Sequence, residues 1–242
     1  MPKNDLRKFC AMAMMAEAPR IGDAKTRLVP PLSETEAAAL SSCFIRDTAD
    51  NIIAAAQSTP IHGHVAYSPR ESETVFREML PEAIRLFPSR QIALGYSLSD
   101  AAKDLLAAGY ESVCLFNSDS PTLPTSVLIE AAQTLLASGD RVVLGPAEDG
   151  GYYCMGLKSP HAGLFEDIAW STNQVLVQTL ERAHEIGLDT AVLPIWYAVD
   201  DLASLRRLAE ELLGNPIQRK SANPVRGAVH RPISAALTWQ RR

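Results

Sequence analysis

Residues 113–124, with the sequence VCLFNSDSPTLP, carry the strongest indication of the fold. Residues 113–116 are apolar without polar alternation, which is typical of a strand buried on both faces of a parallel sheet. A polar cluster follows at once, and open α/β sheets bind ligands outside the carboxyl ends of their strands. Asp119 in this cluster is therefore the first candidate for chemistry. On spacing alone, an Asx turn or an N-cap for the helix that Pro124 can begin explains Asp119 equally well.

Further runs of strand length occur on both sides of this stretch. We expect strands at residues 9–16, 61–67, 91–94, 141–145 and 152–157, and a last central strand at 190–195. Because the interval between 141–145 and 152–157 is too short for a crossover helix, the second of these two strands is expected to be antiparallel.

Helices are expected in the longer intervals. A helix interrupted near Pro81 should cover residues 72–87, and Gly109, Gly139 and Gly187 are expected to end later helices. The expected helix starts are Ser33 with Glu36, Ser97, Pro124, Ser171 with Gln174, and Asp200 or Asp201. The alternation predicts an α/β fold in which a mixed, mostly parallel sheet is flanked by helices on both faces.

Length and composition favour one domain over residues 1–214, followed by a basic tail over residues 215–242. Of the 242 residues 47% are hydrophobic, which is ample for a large core. The net charge of -5 argues against nucleic acid as a partner. The four cysteines lack the CxxC spacing of zinc or redox sites, and no run is long enough to span a membrane, so a cytoplasmic protein is expected.

The loop after the first expected strand contains Pro19, Gly22, Lys25, Thr26 and Arg27. Backbone amides and cationic side chains in such a loop can converge on a phosphate group. The spacing is not that of a Walker P-loop, and a solvated basic loop is the simpler interpretation.

A second candidate lies where Asp149, Gly150 and Gly151 separate two strand-like runs. Turn formation alone explains these residue types. Alternatively, the glycines let a ligand approach the backbone while Asp149 accepts hydrogen bonds from hydroxyl groups. Trp170, just ahead of an expected helix, can serve as a platform for a sugar or base, or as a packing anchor.

Taken in order, these stretches resemble the DUF2064 proteins, GT-A-fold glycosyltransferase-like relatives of the nucleotide-diphospho-sugar transferases. The resemblance spans about residues 9–213. It rests on Pro19, Gly22 and the KTRL sequence at 25–28, on Ser118, Asp119, Pro121 and Leu123 of a GSDxPxL pattern, on DGGYY at 149–153, on Ile168, Trp170, Ser171 and Thr172 of IxWST, and on Val199, Asp200 and Leu205 of DVDxxxDL.

The sequence departs from these patterns at a few positions. Glu17 stands where family members often have lysine, and Asn117 where they often have glycine. Ala198 and Ser204 replace two acids of the last motif, which removes a carboxylate from the neighbourhood of the implied metal.

The resemblance implies a nucleotide or nucleotide sugar over the carboxyl ends of the first strands, a small-molecule acceptor, and Mg²⁺ or Mn²⁺ as cofactor. It implies Asp119 and Asp200 as metal ligands and Asp119 and Asp149 as catalytic residues. The implied nucleotide-binding residues are Pro19, Gly22, Lys25, Thr26, Arg27 and Ser118, and the implied substrate-binding residues are Gly150, Gly151, Tyr152 and Trp170.

Three functions are compatible with this assignment. The first is metal-dependent transfer of a sugar from a nucleoside diphosphate sugar. The second is nucleotidyl transfer from a nucleoside triphosphate to a small phosphorylated substrate. The third, suggested by Ala198, is nucleotide binding without catalysis.

Overall fold

The computed structural model describes residues 5–90 and 93–214, so the expected basic tail lies outside the described residues. The strands are β1 (Cys10–Glu17), β2 (Ile61–Ser68), β3 (Arg85–Pro88), β4 (Ser112–Asn117), β5 (Arg141–Pro146), β6 (Tyr152–Leu157) and β7 (Asp189–Val192). The helices are α1 (Glu34–Ala56), α2 (Glu73–Met79), α3 (Leu94–Ala107), α4 (Thr125–Leu136), α5 (Val175–Glu185) and α6 (Leu202–Leu213).

The strands form one mixed sheet in the order β3-β2-β1-β4-β6-β5-β7. Strand β6 runs antiparallel to both of its neighbours, and the other neighbouring pairs are parallel. The expected fold class and the antiparallel entry of β6 are both confirmed. Within the described residues no helix is long and apolar enough to cross a membrane.

Hydrophobic clusters cover the two faces of the sheet. Cys10, Met12 and Met14 of β1 point into a cluster with α1, α2 and α4. The alternate residues Ala11 and Ala13 point into a second cluster with α3 and α5. This alternation of faces along a strand explains why β1 has no polar side of its own.

A third cluster joins the loop after β1 and helix α1 to the last helix, α6. Leu28 from the loop after β1 packs with Leu40 and Phe44 of α1 and with Leu205 and Leu208 of α6. This cluster holds the loop after β1 against the start of the last helix.

The segment after α2 differs from the expected interrupted helix. Helix α2 ends at Met79 because Pro81 forces Leu80 into an extended conformation, φ -110° and ψ 148°. Residues 85–88 then pair with β2 as a strand instead of continuing a helix. The strand expected at 91–94 is wrong at its described end, where Leu94 begins α3, while residues 91 and 92 lie outside the described residues.

Two expected helix caps are also wrong. Helix α3 begins three residues before Ser97, whose hydroxyl donates to the carbonyl of Arg90 inside the fold. Ser171 has φ +64°, and the Thr172 hydroxyl accepts from the backbone N–H of Gln174 ahead of α5. At Ser97 a tertiary contact takes the hydroxyl that the sequence pattern assigned to a cap, and ahead of α5 the hydroxyl of Thr172 makes the contact that the pattern assigned to Ser171.

The last strand, β7, is shorter than expected and is an outermost strand of the sheet instead of a central one. Regular pairing of β7 with β5 ends at Val192, two residues before Pro194. The chain then continues as a loop that makes one isolated bridge, from Trp196 to Ala147.

Candidate functional site

The carboxyl ends of the parallel strands place several loops at one edge of the sheet. Met15 near the end of β1 pairs with Asn117 at the end of β4. The turn between β5 and β6 emerges at the same edge, since β6 is antiparallel to β4 and begins beside the end of β4. The loops that carry Lys25, Asp119 and Asp149 therefore share the edge where open α/β sheets bind ligands.

Lys25 lies at the centre of the most highly charged contact at this edge. Its Nζ is 2.7 Å from Oδ1 of Asp119 and 2.8 Å from Oδ1 of Asp200. It also donates to the carbonyl of Val199 at 3.0 Å. Three oxygen atoms from two distant parts of the chain thus surround one ammonium group, whose side chain is only 10% exposed.

The loop after β1 positions Lys25 through its backbone and its packing. Gly22 has φ +89° and Lys25 has φ +50°, both in the left-handed region. Residues Thr26–Leu28 form a short 3-10 turn whose Leu28 is fully buried in the third cluster. The Lys25 ammonium also lies 5.5 Å from the centre of the Phe44 ring. A non-glycine residue in the left-handed region persists when its surroundings hold it there, and such residues concentrate at functional sites.

Asp119 is tied to the loop that carries Asp200. Its backbone carbonyl accepts from the N–H of Val199 at 2.8 Å. The hydroxyl of Ser118 donates to Oδ1 of Asp119 at 3.3 Å, and Oδ1 of Asn117 accepts from the Asp119 N–H at 3.3 Å. The Asx turn considered from the sequence would use the Asp119 carboxylate, but here Asn117 supplies the accepting oxygen, so that carboxylate faces Lys25.

Asp200 and Asp201 divide two roles between them. Asp201 is the N-cap of α6, because its Oδ1 accepts from the N–H of Ser204 at 2.8 Å. These hydrogen bonds from Ser204 lower the pKa of Asp201. The Ser204 hydroxyl accepts in turn from the N–H of Asp200 at 3.2 Å. Because Asp201 supplies the cap, the Asp200 side chain is left to contact Lys25. Asp200 follows β7, an outermost strand of the sheet, and not a central strand as expected.

The other residues of the loop after β1 lie further from this contact. The charge of Arg27 contributes to the lowered pKa of Asp201, so Arg27 lies near the start of α6. Arg20 pairs with Glu71 at 3.2 Å, on the side of the loop after β2. Pro19, Gly22 and Thr26 shape the same loop.

The turn between β5 and β6 is an Asx turn in which Oδ1 of Asp149 accepts from the N–H of Gly151 at 2.9 Å. Gly150 has φ +87°, and its carbonyl accepts from the N–H of Leu176 at the start of α5. Turn formation accounts for these contacts. The Asp149 side chain is nevertheless exposed at the ligand edge of the sheet.

Trp170 and Tyr152 pack against the second cluster, whereas Phe44, next to Lys25, belongs to the third cluster. The Trp170 indole lies directly on Gly95 of α3, where a Cβ would be 2.3 Å from the ring. The rings of Tyr152 and Trp170 meet edge to face at 6.5 Å. The structure therefore does not bring these two aromatic residues to the contact around Lys25, and packing explains their position.

Two contributors to the site were not found by sequence reasoning. The Val199 carbonyl contacts Lys25, but every residue has a carbonyl, so no sequence signal distinguishes it. Trp196 donates from Nε1 to the Thr122 hydroxyl at 3.2 Å and ties the loop after β4 to the loop after β7. The adjacent aromatic residues Trp196 and Tyr197 were a sequence signal that an aromatic anchor follows the last strand.

Solved structures show what the fold is similar to. A protein of Desulfovibrio desulfuricans G20, described as a "putative nucleotide-diphospho-sugar transferase", is 25% identical and superposes with a TM-score of 0.75 over 87% of this chain and 90% of that one. A cytidylyltransferase of Leptospira borgpetersenii is 10% identical, with a TM-score of 0.53 over 92% of this chain and 99% of that one.

The 4-diphosphocytidyl-2C-methyl-D-erythritol synthase of Anaerococcus prevotii is also 10% identical, with a TM-score of 0.52 over 86% of this chain and 99% of that one. The fold is that of the nucleotide-diphospho-sugar transferases and cytidylyltransferases. No curated protein gives a significant sequence match.

A family model described as "Uncharacterized protein conserved in bacteria (DUF2064)" matches residues 51–172, half of the chain. The match includes the stretch around Asp119 and the DGGYY turn, and the KTRL loop lies outside it. With the fold, the model confirms the resemblance seen in the sequence: the chain belongs to the DUF2064 family.

Proposed function

We propose that this protein is a metal-dependent transferase that moves a sugar from a nucleoside diphosphate sugar to a small-molecule acceptor. The observation that carries the proposal is the convergence of Asp119 and Asp200 on Lys25 at the carboxyl edge of the sheet. The transferases among the structural neighbours support the class of reaction, and the Desulfovibrio protein supports a nucleotide sugar as donor.

The oxygen atoms around Lys25 suit a hard divalent cation. Mg²⁺ and Mn²⁺ prefer oxygen ligands and are commonly held by one or two carboxylates, with phosphate and water completing the shell. Asp119 and Asp200 supply two carboxylates, and the carbonyl of Val199 supplies a third oxygen. In residues 5–90 and 93–214 no group of three or more His, Cys, Asp or Glu side chains is placed to hold a metal, so a two-carboxylate site completed by ligand phosphate is the arrangement that fits.

Charge complementarity supports the loop after β1 as the proposed binding site of the diphosphate. Lys25 can donate to a phosphate oxygen, and the neighbouring Arg27 adds a second cation. The bound divalent ion would supply stabilisation of the negative charge that develops on the departing nucleoside diphosphate. In this proposal the two carboxylates would hold the cation, the loop after β1 would orient the phosphates, and exposed Asp149 would act on the acceptor side.

A second function, nucleotidyl transfer to a small phosphorylated substrate, is favoured by one feature. The cationic loop follows the first strand directly, which suits a triphosphate whose terminal pyrophosphate leaves. Sugar transfer releases a nucleoside diphosphate, whereas nucleotidyl transfer releases pyrophosphate, so the products separate the two reactions.

The test is a thermal-shift screen of nucleoside diphosphates and triphosphates with and without Mn²⁺, followed by product analysis. A ligand that binds the native form raises the unfolding midpoint. We expect a nucleoside diphosphate to raise the midpoint more with Mn²⁺ than without, and Asp119→Asn to remove the Mn²⁺-dependent part. Pyrophosphate release from a triphosphate with a sugar phosphate would establish the second function instead.

If nucleotides raise the midpoint but no donor turns over, the protein binds nucleotides without catalysis, as the loss of an acid at Ala198 suggests. If no nucleotide changes the midpoint at millimolar concentration, both transferase proposals are wrong.

A further inference from the structure

We propose that Lys25 and the divalent cation exclude each other at Asp119 and Asp200, so that the ion binds only after a phosphate group has drawn Lys25 away. The inference rests on the proposed function and adds to it an order and a coupling. The diphosphate would act as the signal that opens the metal site.

The geometry of the ammonium group carries the first step. Its Nζ is 2.7 Å from Asp119, 2.8 Å from Asp200 and 3.0 Å from the carbonyl of Val199. These are the same oxygen atoms that a divalent ion would use, and Mg²⁺ binds oxygen at 2.0–2.1 Å. An ion on both carboxylates would therefore come within about 3 Å of a positive charge that already occupies their centre, and two cations that close repel each other.

The electrostatic balance of the contact carries the second step. One lysine between two carboxylates leaves a local charge of about -1, so the acids are only half neutralised. A divalent ion in place of the ammonium would neutralise both carboxylates. The Lys25 ammonium would then have no anionic partner unless another anion binds it. A diphosphate would supply that anion, because its oxygen atoms could accept hydrogen bonds from the displaced Lys25 ammonium.

The fold allows the lysine to move without moving the site. The backbone of Lys25 is fixed by the 3-10 turn and by buried Leu28, while its four-carbon side chain is rotatable. The backbones of Asp119 and Asp200 are held by contacts that do not involve Lys25. The N–H of Val199 donates to the Asp119 carbonyl, and the N–H of Asp200 donates to the Ser204 hydroxyl. The two acids therefore keep their positions when the ammonium leaves.

The experiment measures Mn²⁺ binding without any nucleotide, by electron paramagnetic resonance of free Mn²⁺, in the full chain and in Lys25→Met. Methionine keeps the length and loses the charge. We expect Lys25→Met to bind Mn²⁺ about 5- to 150-fold more tightly than the unmodified chain, the usual range of coupling between two ligands. The gain should disappear in Lys25→Met with Asp119→Asn.

Arg27→Met is the matched control, because it removes one positive charge from the same loop, whereas the ion pairs of Asp119 and Asp200 within the described residues are made with Lys25. An equal gain in Arg27→Met would mean a general charge effect and would overturn the inference. Mn²⁺ affinity in Lys25→Met equal to or below that of the unmodified chain would overturn it as well. Lys25→Gln is the second variant should circular dichroism show that Lys25→Met is unfolded.

The outcome is separable from that of the proposed function. Nucleotide stabilisation of the unmodified chain without a gain of Mn²⁺ affinity in Lys25→Met rejects the exclusion alone. If Lys25→Met gains Mn²⁺ affinity but no nucleotide stabilises the unmodified chain, the mutual exclusion of Lys25 and the ion is supported. The nucleotide is then rejected as the ligand that draws Lys25 away.

Discussion

At the scale of single residues, the turn between β5 and β6 depends on a glycine for two reasons at once. Gly150 has φ +87°, and a Cβ there would lie 2.4 Å from the backbone carbonyl oxygen of Asn173. We expect Gly150→Ala to lower the free energy of unfolding by about 2–3 kcal/mol, because neither the φ angle nor the neighbouring backbone can adjust cheaply. Urea denaturation measures this loss.

Gly109→Ala is the control for that substitution. Gly109 also has a positive φ, +103°, but nothing lies within 4 Å of the position of its Cβ. Only the conformational cost applies, and we expect a loss of about 1 kcal/mol. Equal losses at both positions would show that the contact with Asn173 contributes nothing.

Asp149 in the same turn allows the catalytic and structural roles to be separated. Asn retains a side-chain oxygen that accepts from the N–H of Gly151, so the turn is preserved in Asp149→Asn. We expect turnover to fall about tenfold or more while nucleotide affinity and thermal midpoint stay nearly unchanged. A loss of nucleotide affinity would reassign Asp149 to the nucleotide, and unchanged turnover would leave only the turn.

Whether a residue of the candidate site can be predicted from the sequence depends on whether it contributes its side chain or its backbone. Asp119, Lys25 and Asp200 are recognisable because their side-chain type is chemically informative. The Val199 carbonyl is not, because the backbone group is common to all residues. Trp170 has a side chain that suits both a sugar platform and a packing anchor, and its contact with Gly95 could not be predicted from the sequence.

At the scale of elements, the N-caps of α1 and α6 are chemically similar but differ in their distance along the chain from the candidate site residue Asp200. Both helices begin with a capping box, Ser33 with Glu36 and Asp201 with Ser204. Replacing either N-cap by Ala should cost about 1 kcal/mol of stability. Since Ser204 also fixes the backbone of Asp200, Asp201→Ala should in addition weaken nucleotide binding with Mn²⁺ by about 0.5–1 kcal/mol.

Calorimetric titration of both variants checks this expectation, with Ser33→Ala as the control for a lost cap away from Asp200. Equal affinities in the two variants, at equal loss of thermal midpoint, would show that the cap of α6 does not position the site.

Elements whose boundaries depend on local chemistry were predictable from the sequence. The capping box at Ser33 correctly placed the start of α1, and the short interval before β6 predicted its direction. The errors arose where a distant contact decided the structure. Ser97 is a good cap in isolation, but the loop carbonyl of Arg90 takes its hydroxyl inside α3. No local pattern encodes that contact.

At the scale of the whole molecule, the candidate site depends on the last helix returning to the first loop. Lys25 and Asp200 are 175 positions apart in the chain. They meet because Leu28, Phe44 and Leu205 share one hydrophobic cluster, which fixes the loop after β1 against α6. The sequence shows that each segment is apolar, but which segments share a cluster is a property of the folded chain.

The two faces of the molecule also contain two buried titratable groups with opposite effects on stability. Burial, reinforced by the charge of Asp50, raises the pKa of Asp47 in α1 from 3.8 to about 7. Within residues 5–90 and 93–214, neither carboxylate oxygen of Asp47 has a hydrogen-bond partner. Burial, with the charges of Arg85 and His62, lowers the pKa of His64 in β2 from 6.5 to about 4.

These directions fix the sign of each pH dependence. Between pH 3.8 and 7 the unfolded chain loses the Asp47 proton and the folded chain keeps it, so stability falls as pH rises. Between pH 6.5 and 4 the unfolded chain gains a proton on the imidazole and the folded chain does not, so stability falls as pH drops. The two effects oppose each other over nearly the same window, and they amount to about 4 kcal/mol for Asp47 and about 3 kcal/mol for His64.

Single substitutions should therefore reveal slopes that nearly cancel in the unmodified chain. In Asp47→Asn the effect of Asp47 is absent, so the free energy of unfolding should rise more from pH 4 to 6.5 than it does in the unmodified chain. In His64→Gln the effect of His64 is absent, so the free energy of unfolding should fall relative to that of the unmodified chain over the same range. Urea titrations at pH 4.5, 5.5, 6.5 and 7.5, each subtracted from the unmodified chain, measure the two slopes. A difference that is constant with pH for either variant would show that its buried group titrates alike in the folded and unfolded chain, and slopes of the same sign would contradict the assigned pKa directions.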